Sequence, residues 1–190
     1  MSDLNLETER LLLRPLVETD IDICTALYTS PDVMRFIRAP KTNEKVIEEM
    51  PHICRRGGNG QLGVWCVHDR SNGEKIGTAI LLPLPINETD IEWLKLQEDR
   101  FPSGEIQIGY MFKKEHWGQG YATEACIRLL RFAFENTQLM EVVAVIDKDN
   151  IASRTVLTKA GLAFENGRRA YGIEDVPSFR IKKKDWLAQD

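Results

Sequence analysis

A glycine-rich turn between a strand pattern and a helix pattern constrains this 190-residue chain most strongly. Residues 105–112 alternate as a strand does, and residues 120–136 have the apolar spacing of an amphipathic helix. The turn between them is HWGQG, residues 116–120. A helix N-terminus has unpaired N–H groups and partial positive charge, and glycine lets an anion approach the backbone closely. The turn therefore predicts either a simple connection or a phosphate-binding cradle.

Two common phosphate-binding motifs are excluded at this turn. The chain contains no GxxxxGK[ST] segment, which a P-loop requires. A dinucleotide fingerprint requires GxGxxG, but here Gly118 and Gly120 are followed by Thr123 where the third glycine belongs. If the turn binds phosphate, it belongs to another class of site.

The remaining patterns predict a mixed α/β fold in a single domain, 1–190, whose first half is largely antiparallel. We predict strands at 10–16, 62–68, 75–84, 141–147, 163–171 and 176–184, and further helices at 18–29, 43–56 and 151–160. Residues 85–104 have no clear period, and we predict a long inserted loop there, with one helical turn. This segment is called the insertion below.

Composition and charge exclude several classes of protein. The formal charge is −4, with 25 basic and 29 acidic side chains, which disfavours binding to nucleic acid. We find neither an apolar run long enough to span a membrane nor a signal peptide. The four cysteines form no CxxC pair and have no accompanying histidine cluster, so we expect reduced thiols, no metal site and a cytoplasmic location.

Three segments together resemble one known family. Residues 117–125 (WGQGYATEA) are similar to the acyl-coenzyme A loop of the GNAT N-acetyltransferases, in particular of the RimJ/RimL-like branch. Gly120 and Ala122 match the superfamily pattern Gln/Arg-x-x-Gly-x-Gly/Ala, whose first position is Trp117 here. Residues 8–14 (TERLLLR) resemble the opening strand of this branch, and residues 150–162 (NIASRTVLTKAGL) resemble its second cofactor motif.

The resemblance implies the GNAT fold, with a mixed, mostly antiparallel central sheet of about seven strands flanked by about four helices. It implies an enzyme that moves an acetyl group from acetyl-CoA to a primary amine by direct attack on the thioester. The acceptor is either a protein N-terminus or a small-molecule amine, and a homodimer is compatible with the family. A non-catalytic acyl-CoA-binding module is the alternative function.

The same resemblance predicts how acetyl-CoA is held. Backbone N–H groups of residues 118–123 would bind the pyrophosphate, and the backbone of residues 110–112 would pair with the pantetheine arm. Gly109 in that strand is consistent with a bulge or a close backbone approach. The residues predicted to bind the cofactor are Tyr110, Met111, Phe112, Trp117, Gly118, Gln119, Gly120, Tyr121, Ala122, Thr123, Asn150 and Ser153.

Catalysis requires a proton acceptor, because an alkylamine with a pKa of about 10 is protonated at neutral pH. We predict Glu105 as this base, with Glu92 as a weaker candidate. Many GNAT enzymes place a tyrosine that acts as the proton donor at the position of Leu157. The resemblance to RimL-like proteins, which use the serine three residues after the Asn, implies Ser153 as the proton donor here. Other roles stay open: Glu105 as a solvated acid at a strand end, and Ser153 and Asn150 as helix caps.

The acceptor groove is predicted between the first helices and the late loops. Its candidate residues are Phe36, Arg38, Trp93 and the loop 171–175, in which Tyr171, Glu174 and Asp175 could attract an amine.

Overall fold

A computed structural model describes residues 4–188, without the side chain of Leu94. The strands are β1 (Leu6–Glu7), β2 (Leu11–Pro15), β3 (Gly63–Asp69), β4 (Lys75–Pro83), β5 (Ile106–Phe112), β6 (Glu141–Val145), β7 (Ala163–Phe164), β8 (Arg168–Ala170), β9 (Ile173–Val176) and β10 (Ser178–Lys182). The α-helices are α1 (Ile21–Tyr28), α2 (Pro31–Met34), α3 (Asn43–Ile53), α4 (Tyr121–Asn136), α5 (Ile151–Lys159) and α6 (Lys183–Trp186).

The central sheet has eight strands in the order β1-β2-β3-β4-β5-β6-β10-β7, and β8 and β9 form a separate hairpin. All neighbours in the large sheet are antiparallel except β5 and β6. The predicted fold class, a mixed and mostly antiparallel sheet with flanking helices, is confirmed. None of the helices in the described part of the chain is long and apolar enough to cross a membrane.

The predicted strands at 163–171 and 176–184 are wrong in their extent. Residues 163–171 divide between β7 and β8, which lie in different sheets. Tyr171 and Gly172 have φ angles of 55° and 77°, and these left-handed conformations turn the chain between β8 and β9. Pro177, which has no N–H to donate, separates β9 from β10, and Lys183–Trp186 is helical.

Helices pack on both faces of the sheet around one apolar core. Helix α4 contacts β2, β4 and β5, and its Phe132 meets Trp65 of β3 edge to face with 5.7 Å between ring centroids. Helix α1 contacts β4 and α3. The apolar stripe predicted for α4 is buried in this core, including Ala125, Leu129 and Ala133.

The insertion is folded and tied to the rest of the protein at both ends. Near its start, the N–H of Gly172 donates to the carbonyl of Ile86 (2.9 Å), and near its end the N–H of Asn59 donates to the carbonyl of Glu98 (2.7 Å). Its single 3₁₀ turn, Glu92–Lys95, agrees with the one helical turn expected there. The insertion therefore has a fixed position against the loop that follows β8.

Candidate active site

The glycine turn has the backbone geometry that an anion site requires. Gly118 and Gly120 have φ angles of 73° and 83°, in the left-handed region where an L side chain is strained. Helix α4 begins directly after Gly120. Within residues 4–188, the N–H groups of residues 118–123 donate to no protein acceptor. These donors, at the positive end of a 16-residue helix, fit the pyrophosphate of a nucleotide cofactor.

Side chains of the turn fasten it to the neighbouring strands. The indole N–H of Trp117 donates to the carbonyl of Phe112, the last residue of β5 (2.8 Å). The hydroxyl of Tyr121 donates to Asp69 at the end of β3 (3.0 Å), and this hydrogen bond raises the pKa of Tyr121. The turn is thus held in shape by contacts with β3 and β5.

An ion pair links the turn to the first residues of the chain. Glu124 in the first turn of α4 accepts hydrogen bonds from the Thr8 hydroxyl (2.6 Å), the Arg10 N–H (3.1 Å) and Arg10 Nε (2.7 Å). Arg10 also donates to the carbonyl of Gln119 (3.0 Å), and its guanidinium lies 4.6 Å from the ring centroid of Tyr121. We call these contacts the Arg10–Glu124 latch.

Sequence reasoning did not find the latch. Its partners lie in two of the segments that resembled the family, TERLLLR and WGQGYATEA, and they have opposite charges. The opposite charges of Arg10 and Glu124 were the one sequence feature that could have indicated this ion pair. Sequence spacing does not show that residues 114 positions apart are in contact.

The sheet opens between β5 and β6. These strands pair in parallel at Gln107 and Val143 alone among the described residues, so they diverge toward the carboxyl end of β5. Tyr110, Met111 and Phe112 lie on the part of β5 beyond this pair. A peptide-like arm can hydrogen-bond to strand backbone exposed in such a gap.

The bulge considered at Gly109 is wrong. Strands β4 and β5 pair without a register shift, from Gly77–Phe112 to Pro83–Ile106. A Cβ at Gly109 would lie 3.1 Å from Cγ1 and Cδ1 of Ile80, so a larger residue there would require the Ile80 side chain to shift by a few tenths of an ångström. Because the alternation of β5 is unbroken, Gln107 and Tyr110 project to opposite faces of the sheet.

The two faces at the opening have different neighbours. On one face, the Tyr110 hydroxyl donates to the backbone carbonyl of Ser153 in α5 (3.3 Å), and burial raises the pKa of Tyr110. On the other face, Gln107 Nε2 donates to the Tyr171 hydroxyl (2.6 Å). Helix α5 therefore lies on the first face, and the loop after β8 lies on the second.

A polar cluster lies on this second face, and we call it the Glu92 cluster. It is formed by the buried Glu92 and Gln107, the partly buried Tyr171 and the exposed Arg38. Glu92 and Gln107 are 6% and 4% exposed. Arg38 Nη2 lies 3.4 Å from Glu92 Oε1. Burial raises the pKa of Tyr171, and the charge of Glu92 raises it further. Three of the residues, Arg38, Glu92 and Tyr171, were predicted candidates, whereas Gln107 was missed within an apolar strand pattern.

The other predicted groove residues lie around this cluster or apart from it. Trp93 is buried beside Glu92, and Lys41 Nζ lies 5.5 Å from its ring centroid. Phe36 stacks with the neighbouring Arg35, and Glu174 is exposed and paired with Arg169. The structure therefore buries Trp93 next to Lys41 and places Glu174 at the surface.

Comparison with known proteins identifies the family. Residues 10–163 match the family described as "Acetyltransferase (GNAT) domain". The chain belongs to the GNAT acetyltransferases. It is 28% identical over 167 residues to the uncharacterized protein YkkB of Bacillus subtilis, which covers 87% of this chain and 89% of YkkB. It is 29% identical over 193 residues to FsC-acetyl coenzyme A-N(2)-transacetylase of Aspergillus fumigatus, covering 96% of this chain and 77% of that protein.

Solved structures share the fold of this acetyltransferase. The crystal structure of the aminoglycoside acetyltransferase AAC(6')-Ib in complex with coenzyme A has a TM-score of 0.72, with 15% identity over 94% of this chain and 98% of that one. The GNAT resemblance is thus confirmed, and the protein is an acetyl-CoA-dependent N-acetyltransferase.

Helix α5 shows which expected roles at residues 150–157 are structural. The Asn150 side chain accepts a hydrogen bond from the N–H of Ser153 (3.0 Å), so the capping role of Asn150 is confirmed. Ser153 supplies its backbone N–H to that cap, and its hydroxyl as a proton donor stays a prediction. Leu157, at the position of the familiar tyrosine, is 1% exposed and belongs to the core of this acetyltransferase.

Glu105 lies in an ion-pair network at the other end of β5. Its carboxylate contacts Arg168, and it lies 2.6 Å from Arg180 Nη2. Although burial opposes the effect, the hydrogen bonds from the two arginines lower the pKa of Glu105. A carboxylate stabilised in this way is a weaker base, and the predicted role of Glu105 as general base stays a prediction.

A group of possible metal ligands lies beside the turn. Single ligand atoms of Glu74, Glu115 and His116 lie within 4.8 Å of one another. Lys113 Nζ lies 2.9 Å from Glu74 Oε1 and neutralises part of its charge. Lys113 and Glu74 therefore form an ion pair, and the expectation that the enzyme uses no metal stays a prediction.

Proposed function

We propose that this protein acetylates a primary amine of a small molecule, with the pyrophosphate of acetyl-CoA on the N–H groups of residues 118–123. The unpaired N–H groups before and at the start of α4 support this proposal most directly. When bound, acetyl-CoA supplies an acetyl group already activated as a thioester. The chain's own residues then orient the amine, remove its proton and exclude water.

The name of one relative, FsC-acetyl coenzyme A-N(2)-transacetylase, supports a small-molecule acceptor. Another relative, 31% identical over 42% of this chain, is named a putative ribosomal N-acetyltransferase. A protein N-terminus is the second candidate, because the motifs resemble the RimJ/RimL-like branch. The non-catalytic module is not favoured, since the named relatives are transferases.

In this proposal, the strand, the turn and the Glu92 cluster each bind a different part of the two substrates. Residues 110–112 pair with the pantetheine arm through their backbone. Residues 117–123 together with Asn150 hold the rest of the cofactor. Ser153 donates a proton to the departing sulfur. The Glu92 cluster, on the other face of β5, lies where the acceptor amine would enter.

We further infer a single domain, without a metal, in the cytoplasm. The four cysteines are unpaired, which suits a reducing compartment. Buried Cys24, Cys66 and Cys126 have a pKa raised by burial to about 12, so these thiols are inert at neutral pH.

The proposal is tested by measuring thiol release from acetyl-CoA with a panel of amines. The panel contains a diamine, an arylalkylamine, an aminoglycoside and short peptides with free N-termini. We expect turnover of at least one small amine and acetylation of its primary nitrogen, detected as a mass increase of one acetyl group. Turnover of the peptides alone would instead support the N-terminal acetyltransferase. CoA binding without turnover of any amine would refute both.

A further inference from the structure

Arg10 borders the open side of the cofactor turn. Among the described residues, and apart from its chain neighbours, a Cβ at Gly120 would meet one atom within 4 Å, Nη2 of Arg10 at 3.4 Å. A Cβ at Gly118 would meet none. The space over both glycines is therefore free for a ligand, and a guanidinium lies at its edge. Helix α4 begins at the same place, so the positive end of its dipole and the charge of Arg10 act on one volume.

Protein contacts fix the guanidinium of Arg10 in one orientation. Its Nε and Nη2 lie 2.7 Å and 2.6 Å from Oε2 of Glu124, and its Nη1 donates to the carbonyl of Gln119 at 3.0 Å. The group also lies over the ring of Tyr121, 4.6 Å from the centroid. A guanidinium has five N–H donors, and within the described part of the chain these contacts leave one on each terminal nitrogen unused. A planar fork that is already oriented is well suited to bind phosphate.

The turn runs across the end of the sheet from the opening toward Arg10. Trp117 is bound to Phe112 of β5, the strand that borders the opening. Tyr121 is bound to Asp69 at the end of β3. Arg10 immediately precedes β2, which the sheet order places three strands from β5. Because neighbouring strands lie about 4.8 Å apart, β2 is about 14 Å from the strand that borders the opening.

Coenzyme A carries its groups in a matching order. From the thiol, the pantetheine arm is followed by the pyrophosphate and then by a ribose that is phosphorylated on its 3′-hydroxyl. With the arm in the opening and the pyrophosphate on the turn, the next phosphate falls at the far end of the turn. Resting on the proposed function, we propose that Arg10 binds the 3′-phosphate of coenzyme A through its two unused N–H groups. Arg10 then selects coenzyme A over cofactors that lack this phosphate.

The carboxylate beside Arg10 is compatible with a bound phosphate. Glu124 also accepts hydrogen bonds from the Thr8 hydroxyl and the Arg10 backbone N–H, so its charge is shared among several donors. A phosphate monoester has a charge of about −1.5 to −2 at pH 7, which attracts a guanidinium more strongly than one carboxylate does. Arg70 and Glu7 at the same corner lie 3.1 Å apart and are neutral as a pair.

Calorimetric titration with coenzyme A and with dephospho-coenzyme A, which lacks only the 3′-phosphate, tests the proposal. We expect wild type to bind coenzyme A about 20-fold more tightly than dephospho-coenzyme A, and Arg10→Gln to bind the two within about twofold. Glu124→Ala should weaken the binding of both cofactors but keep the preference, because Arg10 retains its contact with Gln119.

The matched control is Arg70→Gln. The Arg70 side chain is 43% exposed, against 44% for Arg10, and it donates to the carbonyl of Thr8 instead of the turn. The variant removes the same charge from the same corner of the protein, and it should keep the wild-type preference for coenzyme A.

A second measurement detects the contact directly at saturating cofactor. The 3′-phosphate loses its second proton at about pH 6, and phosphorus NMR follows this ionisation in bound coenzyme A. A nearby guanidinium favours the dianion, so the pKa of the bound phosphate should lie below that of free coenzyme A in wild type and return toward it in Arg10→Gln.

Three outcomes would contradict these inferences. An unshifted phosphate pKa in wild type, or a preference for coenzyme A that survives Arg10→Gln, would overturn the 3′-phosphate site. Equal losses of affinity for both cofactors in Arg10→Gln would overturn it as well, because they indicate that Arg10 only holds the turn. Failure of wild type to bind either cofactor would instead overturn the proposed function.

Discussion

Replacing Glu124 by alanine tests whether the first residues of the chain hold the cofactor turn in place. The change removes the acceptor for the Thr8 hydroxyl, for the Arg10 N–H and for the Arg10 guanidinium. Helix α4 can still form, because alanine is a good helix former. The cofactor turn, in contrast, loses one of its attachments to the rest of the protein.

The exposure of the partners sets the size of the effect. The side chains of Glu124 and Arg10 are 19% and 44% exposed, so their ion pair itself is worth at most about 1 kcal/mol. The hydrogen bond from Thr8 to the partly buried carboxylate adds about 1 kcal/mol. If most of this energy orders the turn, coenzyme A should bind about 10-fold more weakly, since about 1.4 kcal/mol corresponds to a factor of ten.

Calorimetric titration with coenzyme A measures this change. The control is Glu135→Ala on the same helix, where a half-exposed carboxylate lies 3.9 Å from Arg131 and far from the turn in sequence. A double-mutant cycle with Arg10→Ala should give a coupling energy of about 1 kcal/mol in cofactor binding. Affinity within twofold of wild type in both Glu124→Ala and Arg10→Ala would refute the argument that the latch positions the turn.

Three further predictions concern the turn and the core. Gly118→Ala should weaken coenzyme A binding about 10-fold in the same titration, because alanine is strained at a φ of 73°. The control is Gly73→Ala, where φ is 75° and no atom lies within 4 Å of the added Cβ, as at Gly118. It should lower thermal stability without changing the affinity for coenzyme A. Asp20→Asn should cost about 2–4 kcal/mol in denaturant unfolding, since the carboxylate is 1% exposed and paired with Arg14. Burial opposes ionisation of Asp20, but the hydrogen bonds from Arg14 hold the pKa of this carboxyl well below its usual range. The stabilisation should therefore be complete above about pH 4 and be lost as the pH falls further. An acid titration that destabilises wild type and Asp20→Asn equally would contradict this prediction. Leu157→Tyr should overpack the core and cost about 1–3 kcal/mol without raising kcat, and a faster enzyme would show that this site reaches the reacting atoms.

Local patterns were sufficient to predict the elements that are long and strongly periodic. Helix α4 has its predicted C-terminus at Asn136 and its predicted buried stripe, because that stripe alone determines which face packs on the sheet. The turn before it was predicted equally well, since a positive φ at Gly118 and Gly120 is a local property of the backbone.

Features that depend on distant contacts were predicted poorly. The short strands β7, β8 and β9 are defined by partners such as Phe179 and by the turn at Tyr171, and neither has a periodic signal. Gln107 was hidden among apolar residues, and its partner is 64 residues away. Polar residues of this kind become recognisable as a site when the fold shows which of them are buried together.

The Arg10–Glu124 latch connects the cofactor turn to the edge of the sheet at β1, so cofactor binding should affect the stability of that edge. β1 is only two residues long and lies at that edge, where local opening requires the least free energy. A ligand that needs the turn in its closed form must, by thermodynamic linkage, also stabilise the segment that closes it. Coenzyme A should therefore slow amide hydrogen exchange at Arg10, whose N–H is bound by Glu124. The rate of hydrogen exchange at Arg10 would then show whether the cofactor is bound.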